Sequence, residues 1–332
     1  MIDSKIKPKI LVDAVITWVD GSDKDLNKKK AEYLNSEKES KIQNVKTRYN
    51  QVGEIEFVIK SIIKFAPFIN NIFIVTDGQS PKIIDDSNSW RKEFREKLKV
   101  VDHKEIFRDF IEFLPTFNST TIETMLHYIP DLSEHFIYFN DDMFLIKPTK
   151  ISDWFKDGIP IVSGKWKKLP QKIWYYRLKH LLFPWTLKRA GFKYSQAHSA
   201  QIAGFKEKYF LTHHKPRPLL KSHFFNYISK EKKDLIDQIK YRFRNYKQYY
   251  SYSLVWHKAI NNQSLILKEN NDLLEIHRPH KIGSKRVISL LDKNESDNSV
   301  FALNIQSLDL VNASDLNIIL NWLKTKTKIN LK

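Results

Sequence analysis

Four short apolar runs, each followed at once by acidic or small polar residues, constrain the fold of this chain more than any other feature. They cover residues 10–19, 71–76, 99–101 and 135–139, and the residues after them are Asp20-Gly21-Ser22-Asp23, Asp77-Gly78, Asp102-His103 and Asn140-Asp141-Asp142. Short runs rich in β-branched and aromatic residues are typical of strands buried on both faces. Segments with helical spacing separate them, most clearly at residues 54–65. This order favours an α/β, Rossmann-like fold with a largely parallel sheet and helices on both faces.

Further helices and three regions are predicted along the chain. The helices cover residues 24–41, 90–98, 119–128, 230–240, 249–261 and 313–325. Residues 10–150 are expected to form an α/β core that binds the substrate and a metal. Residues 151–206 are expected to form an inserted basic, aromatic-rich lobe, and residues 207–330 a mainly helical completion of the same domain.

The acidic residues after the strands are candidates for one binding crevice. In open α/β sheets, ligands bind outside the carboxyl ends of the strands. Asp20, Asp23, Asp77, Asp102 and the pair Asp141-Asp142 could therefore converge there. The alternative is turn chemistry, because Asp-Gly is a common turn sequence, and for Asp77-Gly78 this alternative is at least as good.

The triplet Asn140-Asp141-Asp142 is the strongest candidate for a metal site. Adjacent carboxylates repel one another unless a cation neutralises them. Hard oxygen ligands suit Mg²⁺ or Mn²⁺, which also hold diphosphates. Acidic pairs are common on surfaces, but this pair lies between the apolar runs 136–139 and 143–145. We therefore predict a divalent metal at Asp141 and Asp142.

The chain is strongly basic, with a formal net charge of +18. Residues 158–206 contain no Asp or Glu, ten Lys or Arg and many aromatic residues. Such a segment fits a membrane surface, a polymeric acceptor or a nucleic acid, and equally a core helix whose lysines extend to solvent.

Residue content excludes several kinds of site. The chain has no cysteine and eight glycines, so disulfides, thiolate metal sites and a cysteine nucleophile are excluded. Neither a P-loop nor a dinucleotide-binding glycine pattern is present. His213-His214 lacks the pattern of a zinc protease. No run approaches the ~18 apolar residues that span a bilayer, so we expect a cytoplasmic protein that meets the inner face of a membrane only peripherally.

Three blocks of this sequence resemble the Stealth family of polysaccharide phosphotransferases. The first is residues 13–23, which end in Trp18-Val19-Asp20-Gly21-Ser22-Asp23. The second runs from Arg48 to the string Phe139-Asn140-Asp141-Asp142, and the third covers residues 214–221 and 242–244. This family includes bacterial capsule polymerases and the catalytic subunit of the lysosomal-enzyme N-acetylglucosamine-1-phosphotransferase. The sequence departs from the family at Gln51-Val52-Gly53, where an acidic stretch is usual, and at Asn245-Tyr246-Lys247.

The resemblance implies a reaction and a glycosyltransferase-A-like sheet. A sugar-1-phosphate, such as N-acetylhexosamine-1-phosphate, would pass from a UDP-sugar to a hydroxyl of a growing capsular or exopolysaccharide, with release of UMP. The acceptor would be a polysaccharide or an oligosaccharide phosphate. Contact with membrane or with capsule-assembly proteins is left open, and no nucleic acid is expected.

The resemblance also implies residue roles. Asp141 and Asp142 would hold Mg²⁺ or Mn²⁺ across the diphosphate. The catalytic residues would be Asp20, Asp142, His214 and Arg244, with His214 as general base or phosphate ligand. The substrate-binding residues would be Gly21, Ser22, Asp23, Arg48, Asn118, Ser119 and Glu123. Asn118 and Ser119 could equally be helix caps.

Two other functions remain open at this point. A nucleotide-sugar glycosyltransferase would use the same acidic motif but release UDP. A basic polyanion-binding protein would account for the Lys-rich segments, but it would leave the carboxylates within an apolar stretch unexplained.

Overall fold

The computed structural model describes residues 10–36, 50–174, 178, 181–182, 191–269 and 272–332. Its strands are β1 (Val12–Thr17), β2 (Ile69–Thr76), β3 (Leu98–Asp102), β4 (His135–Asn140), β5 (Met143–Leu145), β6 (Phe155–Lys156), β7 (Ile159–Lys168), β8 (Lys208–Thr212), β9 (Arg217–Leu220), β10 (Ile266–Lys268), β11 (Leu273–Ile276) and β12 (Ala302–Ile305). Its helices are α1 (Lys24–Ser36), α2 (Glu54–Phe65), α3 (Lys82–Asp86), α4 (Lys92–Arg95), α5 (His103–Ile106), α6 (Ser119–Met125), α7 (Ile151–Trp154), α8 (Phe192–Ile202), α9 (Lys221–Tyr227), α10 (Lys232–Ile239), α11 (Ser251–Asn261), α12 (Pro279–Ile282), α13 (Ser284–Lys293) and α14 (Ala313–Lys326).

The main sheet has five strands in the order β3-β2-β1-β4-β9. The first four are parallel, and β9 pairs antiparallel with β4. The prediction of a largely parallel α/β sheet is therefore confirmed. Because the four parallel strands run the same way, their carboxyl ends meet along one edge of the sheet.

Both faces of the sheet are covered. Along β1, Ala14 and Ile16 belong to one apolar core, while Val15 belongs to the other, as the two-residue period of a strand requires. Helix α2 packs into the first core, and helix α11 packs into the second. The expectation of helices on both faces is thus confirmed, and β1 is buried from both sides.

The residue that follows the acidic pair begins a different sheet. Strand β5 starts at Met143 and pairs with β12, which pairs in turn with β11. The turn Asp141-Asp142 therefore lies at the junction of two sheets. Strand β4, before the turn, pairs with β1 and β9, and strand β5, after the turn, pairs with β12.

The region predicted as a basic insertion contains the long strand β7, which pairs with β6, β8 and β10. The pairings with β8 and β10 join residues 159–168 to strands that follow much later in the chain. Residues 175–177, 179–180 and 183–190 of the same region lie outside the described residues.

Some sequence-based element predictions were wrong. The helix predicted over residues 90–98 is reduced to α4, because Leu98 begins strand β3. The helix predicted over residues 119–128 begins at Ser119 as expected, but its α-helical part ends at Met125. The five strands between residues 208 and 305 had no clear period in the sequence and were not predicted.

Within the described part of the chain, no helix combines the length and the apolar character that crossing a bilayer requires.

Candidate active site

A cavity of about 750 Å³ lies at the carboxyl end of β4, where the three sheets approach one another. Its polar lining includes Glu54, Glu123, Asn140, Asp141, Asp142, Lys165, Lys167, Lys193, His213, His214, Arg217, Arg244 and Glu275. Carboxylates and cationic side chains thus share one cavity. A volume in this range holds a ligand of cofactor size.

The acidic pair is held by its backbone. The carbonyl oxygen of Asp142 accepts hydrogen bonds from Asn304 Nδ2 at 2.9 Å and from the amide of Ile305 at 3.3 Å. The preceding residue, Asn140, ends strand β4. Strands β4 and β12 therefore fix the turn from both sides, while the two carboxylates stay on the cavity.

The two carboxylates have opposite pKa shifts. Burial, together with the negative charges of Asp142 and Glu54, raises the pKa of Asp141 well above its usual range. Burial acts in the same direction on Asp142, but His214, Asn304 and Arg217 together outweigh it and lower the pKa of Asp142. Ionising Asp141 in this setting is therefore unfavourable without an added positive charge.

His214 contacts both the acidic pair and a buried arginine. Its Nε2 lies 3.2 Å from Asp142 Oδ1, and its Nδ1 lies 3.4 Å from Arg217 Nη2. Because a guanidinium only donates, Nδ1 must be the accepting nitrogen, and the neutral ring carries its proton on Nε2. Asp142 therefore orients the ring, and the basic nitrogen is Nδ1.

Arg217 is the buried cation of the cavity. Its side chain is 2% exposed, and its guanidinium carbon lies 4.1 Å from the ring centroid of Tyr252 and 5.3 Å from that of Tyr138. Nε and Nη1 have no hydrogen-bond partner among the described residues. Buried polar groups are rarely left unpaired, so this guanidinium is suited to an anion in the cavity. No role for Arg217 was predicted from the sequence.

Arg244 is held at the cavity by a predicted neighbour. Its Nη2 donates to Ser119 Oγ at 2.6 Å, and both residues line a second, smaller cavity. Glu123 lies on the same helix as Ser119, lines the large cavity and has a buried Oε2 without a partner among the described residues. The structure thus brings Ser119, Glu123 and Arg244 together.

Asn118 has a structural place. Its Oδ1 accepts from the amide of Thr120 and caps α6, while its Nδ2 donates to Tyr241 O and to Gln248 Oε1. Its side chain is fully buried and lines neither cavity.

The Asp20-Gly21-Ser22-Asp23 string forms a turn and a helix cap. Asp20 Oδ1 accepts from the amide and hydroxyl of Ser22, and Asp23 Oδ1 accepts from the amide of Leu26 in α1. Burial acts to raise the pKa of Asp20, but the hydrogen bonds from Ser22 outweigh it and lower that pKa. None of the four residues lines either cavity. The predicted site residue Arg48 lies outside the described residues.

The smaller cavity, of about 120 Å³, adjoins the large one at the ends of β1 and β2. The two share Asn140, Asp141 and Arg244 as lining residues. Trp18, His103 and Thr116 also line it, and Trp18 Nε1, His103 Nδ1 and Thr116 Oγ1 are buried without partners among the described residues. Burial also lowers the pKa of His103, which favours the neutral ring. The walls of the small cavity are therefore mixed, with apolar side chains and with polar atoms that can bind a ligand.

The described residues contain no group of three or more His, Cys, Asp or Glu side chains arranged to hold a metal ion. The carboxylates of the acidic pair could supply only part of a coordination sphere.

Two family models match this chain. Residues 12–38 match Stealth protein CR1, conserved region 1, and residues 48–161 match Stealth protein CR2, conserved region 2. The chain thus contains both of these Stealth regions. The two regions contain Asp20, Asp23, Glu123 and the acidic pair, whereas His214, Arg217 and Arg244 follow them.

The relatives of this chain include three named polysaccharide phosphotransferases. Receptor polysaccharide phosphotransferase WefC of Streptococcus gordonii is 41% identical over 153 residues, which are 45% of this chain and 43% of the relative. Capsular polysaccharide phosphotransferase fcs1 of Haemophilus influenzae is 41% identical over 46% of this chain and 40% of the relative. WcwK of Streptococcus pneumoniae, a capsular polysaccharide phosphotransferase, is 41% identical over 45% of this chain and 43% of the relative. The match therefore spans less than half the length of each relative.

A solved galactosyltransferase, LgtC in complex with donor and acceptor sugar analogs, aligns with 95% of this chain and 95% of its own, at 11% identity and a TM-score of 0.46. A similarity this low carries no conclusion about function, and the α/β assignment rests on the sheet topology.

Sequence reasoning missed several residues of the site. Arg217 was missed because its burial depends on β9 pairing with β4. Trp18, His103 and Thr116 follow no spacing that a sequence could reveal. The one available signal was Arg217 between two prolines at the start of an apolar run, which is an unusual place for a charge.

Proposed function

We propose that this chain transfers a sugar-1-phosphate from a UDP-sugar to a hydroxyl of a growing cell-surface polysaccharide, forming a phosphodiester and releasing UMP. The observation that carries the proposal is that one cavity is lined by the acidic pair, by a buried arginine with unpaired donors, and by a second arginine. Phosphoryl transfer needs charge neutralisation and positioning more than covalent catalysis by the protein. The names of the relatives point to the same class of reaction.

The residues present fit a divalent cation of the magnesium type. Mg²⁺ is usually bound through one or two carboxylates, with substrate phosphates and water completing its shell. Asp141 and Asp142 offer two carboxylates, and the raised pKa of Asp141 marks a place where negative charge is in excess. The buried Oδ1 of Asn140 also has no partner among the described residues. Bound there, the cation would neutralise charge on the diphosphate.

In the proposed reaction, the acceptor oxygen forms a bond to the phosphorus nearest the sugar. The bond between that phosphorus and the oxygen of the leaving UMP breaks, and UMP keeps that electron pair. The acceptor proton passes to Nδ1 of His214, while Asp142 stabilises the resulting imidazolium through Nε2 at 3.2 Å. The contact of Nδ1 with Arg217 is long, at 3.4 Å, and gives way to the acceptor hydroxyl.

Arg217 and Arg244 have distinct parts in this proposal. The free Nε and Nη1 donors of Arg217 bind non-bridging phosphate oxygens, where a planar fork is well suited. Arg244, fixed through Ser119, lines both cavities and binds the phosphate between them.

The small cavity takes the nucleoside end of the donor. Its volume of about 120 Å³ is well under the range of whole-ligand pockets, so it suits one ring system rather than the entire nucleotide-sugar. Trp18 Nε1 can donate, Thr116 Oγ1 can donate or accept, and neutral His103 can do either through Nδ1, depending on its tautomer. Because the two cavities share Asp141 and Arg244, the diphosphate of the donor would lie at the junction between them.

The deciding experiment identifies the released nucleotide. The purified protein is incubated with Mg²⁺, a panel of UDP-sugars and oligosaccharide-phosphate acceptors. We expect release of UMP that depends on both metal and acceptor. This release should be lost in Asp142→Asn and retained in the exposed control Asp237→Asn. Release of UDP instead would assign the chain to the glycosyltransferases. Absence of both products from every donor, with the protein folded, would leave the polyanion-binding reading as the better one.

A further inference from the structure

The four described residues between positions 174 and 182 expose large apolar side chains. Leu178 is 48% exposed, Leu181 79% and Leu182 58%, and Trp174 at the start of the segment is 75% exposed. Large apolar residues scattered singly over a surface are ordinary. Four within nine positions form a patch, and such patches mark interaction sites.

These four residues have the spacing of one helix face. Residues 174, 178, 181 and 182 are each helical, and they stand at positions i, i+4, i+7 and i+8. Those positions form the apolar stripe of an amphipathic helix. In a buried helix this stripe faces a core, but here the three leucines are turned to solvent.

The surrounding sequence has one sign of charge only. Residues 158–206 include ten Lys or Arg and no Asp or Glu. Among them, Lys168 and Lys172 are exposed just before the apolar residues. A basic segment with an exposed leucine stripe has the composition of a helix that lies in a membrane interface.

We infer that the face formed by Leu178, Leu181 and Leu182 docks onto the surface of an anionic lipid bilayer, with exposed basic residues such as Lys168 at the headgroups, whereas Lys172 pairs with Glu207 at 2.6 Å. Charge complementarity selects this occupant. A second copy of the chain would bring the same cationic segment against itself if the contact were symmetric. A polysaccharide would leave the leucines without an apolar partner.

The groove next to the active-site cavity ends close in sequence to the docking face. Lys167 and Lys193 line both the large cavity and this groove of about 290 Å³, whose lining includes Ile173, five positions before Leu178. Docking through the leucines would then hold this side of the protein at the bilayer. An acceptor presented at a membrane surface would have a short path to the cavity. The docking itself does not depend on which reaction the cavity performs.

Vesicle flotation tests this inference with the full chain. Phosphatidylcholine vesicles with and without phosphatidylglycerol are compared for the native protein, for Leu178→Glu/Leu181→Glu/Leu182→Glu, and for the matched control Ile111→Glu/Ile282→Glu/Ile318→Glu, whose residues are exposed elsewhere. We expect native and control proteins to float with anionic vesicles only, and the leucine variant to bind about tenfold more weakly or not at all. High salt should reduce the binding. A Tm equal to that of the native protein shows that the leucine variant is folded.

Two results would overturn the inference. One is equal flotation of the leucine variant and the native protein. The other is absence of native binding to anionic vesicles; concentration-dependent self-association that the leucine variant loses would then make the face a contact between copies. Loss of vesicle binding with unchanged soluble turnover separates docking from the proposed reaction.

Discussion

Arg217 and Asp141 are both buried ionisable groups, one that carries positive charge and one that carries negative charge when ionised. Arg217 is a buried cation with unpaired donors, and Asp141 is a carboxylate whose pKa is raised by burial and by acidic neighbours. Both line one cavity, yet no hydrogen bond joins them among the described contacts. A ligand that carries anionic oxygens and a cation together would satisfy both.

The first prediction concerns Arg217. Arg217→Lys keeps the charge but removes the planar fork, so we expect kcat/KM to fall about 100-fold, the scale measured when one donor to a transition-state oxygen is lost. Steady-state kinetics with the productive UDP-sugar measures it. Arg95→Lys, at an exposed position, is the control. Activity within a factor of about two of the native value would remove Arg217 from the phosphate site.

A second prediction concerns His127 and the stability of the fold. Burial lowers the pKa of His127 to about 3, and Nε2 lies 2.6 Å from Ser229 Oγ. The unfolded chain therefore binds a proton at His127 between about pH 6.5 and pH 3 that the folded chain does not. From this residue alone, the free energy of unfolding should drop by about 2 kcal/mol between pH 7 and pH 5.

Urea unfolding at both pH values, on the native protein and on His127→Gln, measures this linkage. The variant is expected to be less stable at pH 7 but to lose less stability on acidification. An identical pH dependence in the two proteins would show that His127 titrates normally in the folded chain.

Single residues were predictable where local sequence determines their place. The acidic pair was recognised because two apolar runs enclose it, and it does line the cavity. Asn118 was correctly considered as a helix cap, because the capping bond is local. Arg217 and the small-cavity residues escaped prediction because their environment is made by strands and loops from separate parts of the chain.

Among the elements, the pairing of β7 with β8 carries the clearest steric requirement. A Cβ at Gly164 would lie 2.5 Å from the carbonyl oxygen of Leu211 and 2.8 Å from Phe210 Cε1. The nearer neighbour is backbone and cannot move without separating the strands. This close approach positions β8, and His213-His214 follow it directly.

We therefore predict that Gly164→Ala lowers the free energy of unfolding by about 1–3 kcal/mol and reduces turnover through a displaced His214. Gly191→Ala is the matched control, since its Cβ would meet only Tyr194 Cδ2 at 3.6 Å. Urea unfolding and kinetics are measured on both. A Gly164→Ala protein as stable and as active as the control would show that β7 and β8 can separate without cost.

At the scale of elements, the strand–helix alternation of the first half was predictable and most of the later strands were not. Strands β1, β2 and β4 are buried over most of their length, so they appear in the sequence as nearly continuous apolar runs. By contrast, β9 is only the four residues Arg217–Leu220, and β12 only Ala302–Ile305. Strands this short have too few residues to show a period, and their pairing is decided by tertiary contacts.

At the scale of the molecule, the cavity has no complete set of protein metal ligands among the residues that the structure describes. We therefore expect removal of divalent metal to abolish turnover without unfolding the chain, because these residues offer no group that could hold a structural metal. We expect EDTA to leave the Tm of the free protein unchanged. UMP should raise the Tm only when Mg²⁺ is present, and it should not raise it in Asp141→Asn/Asp142→Asn. A large drop in Tm with EDTA alone would indicate a structural metal instead.

The hydrogen bonds from Asn304 and Ile305 to the carbonyl of Asp142 have a consequence for synthesis. Chains are made from the amino end, so the acidic turn leaves the ribosome long before the strand that fixes it. A nascent chain that already carries both conserved regions still lacks the support of β12, and also His214, Arg217 and Arg244 for much of its elongation. If the cavity performs the proposed transfer, we expect no donor turnover until residues up to Ile305 have been translated.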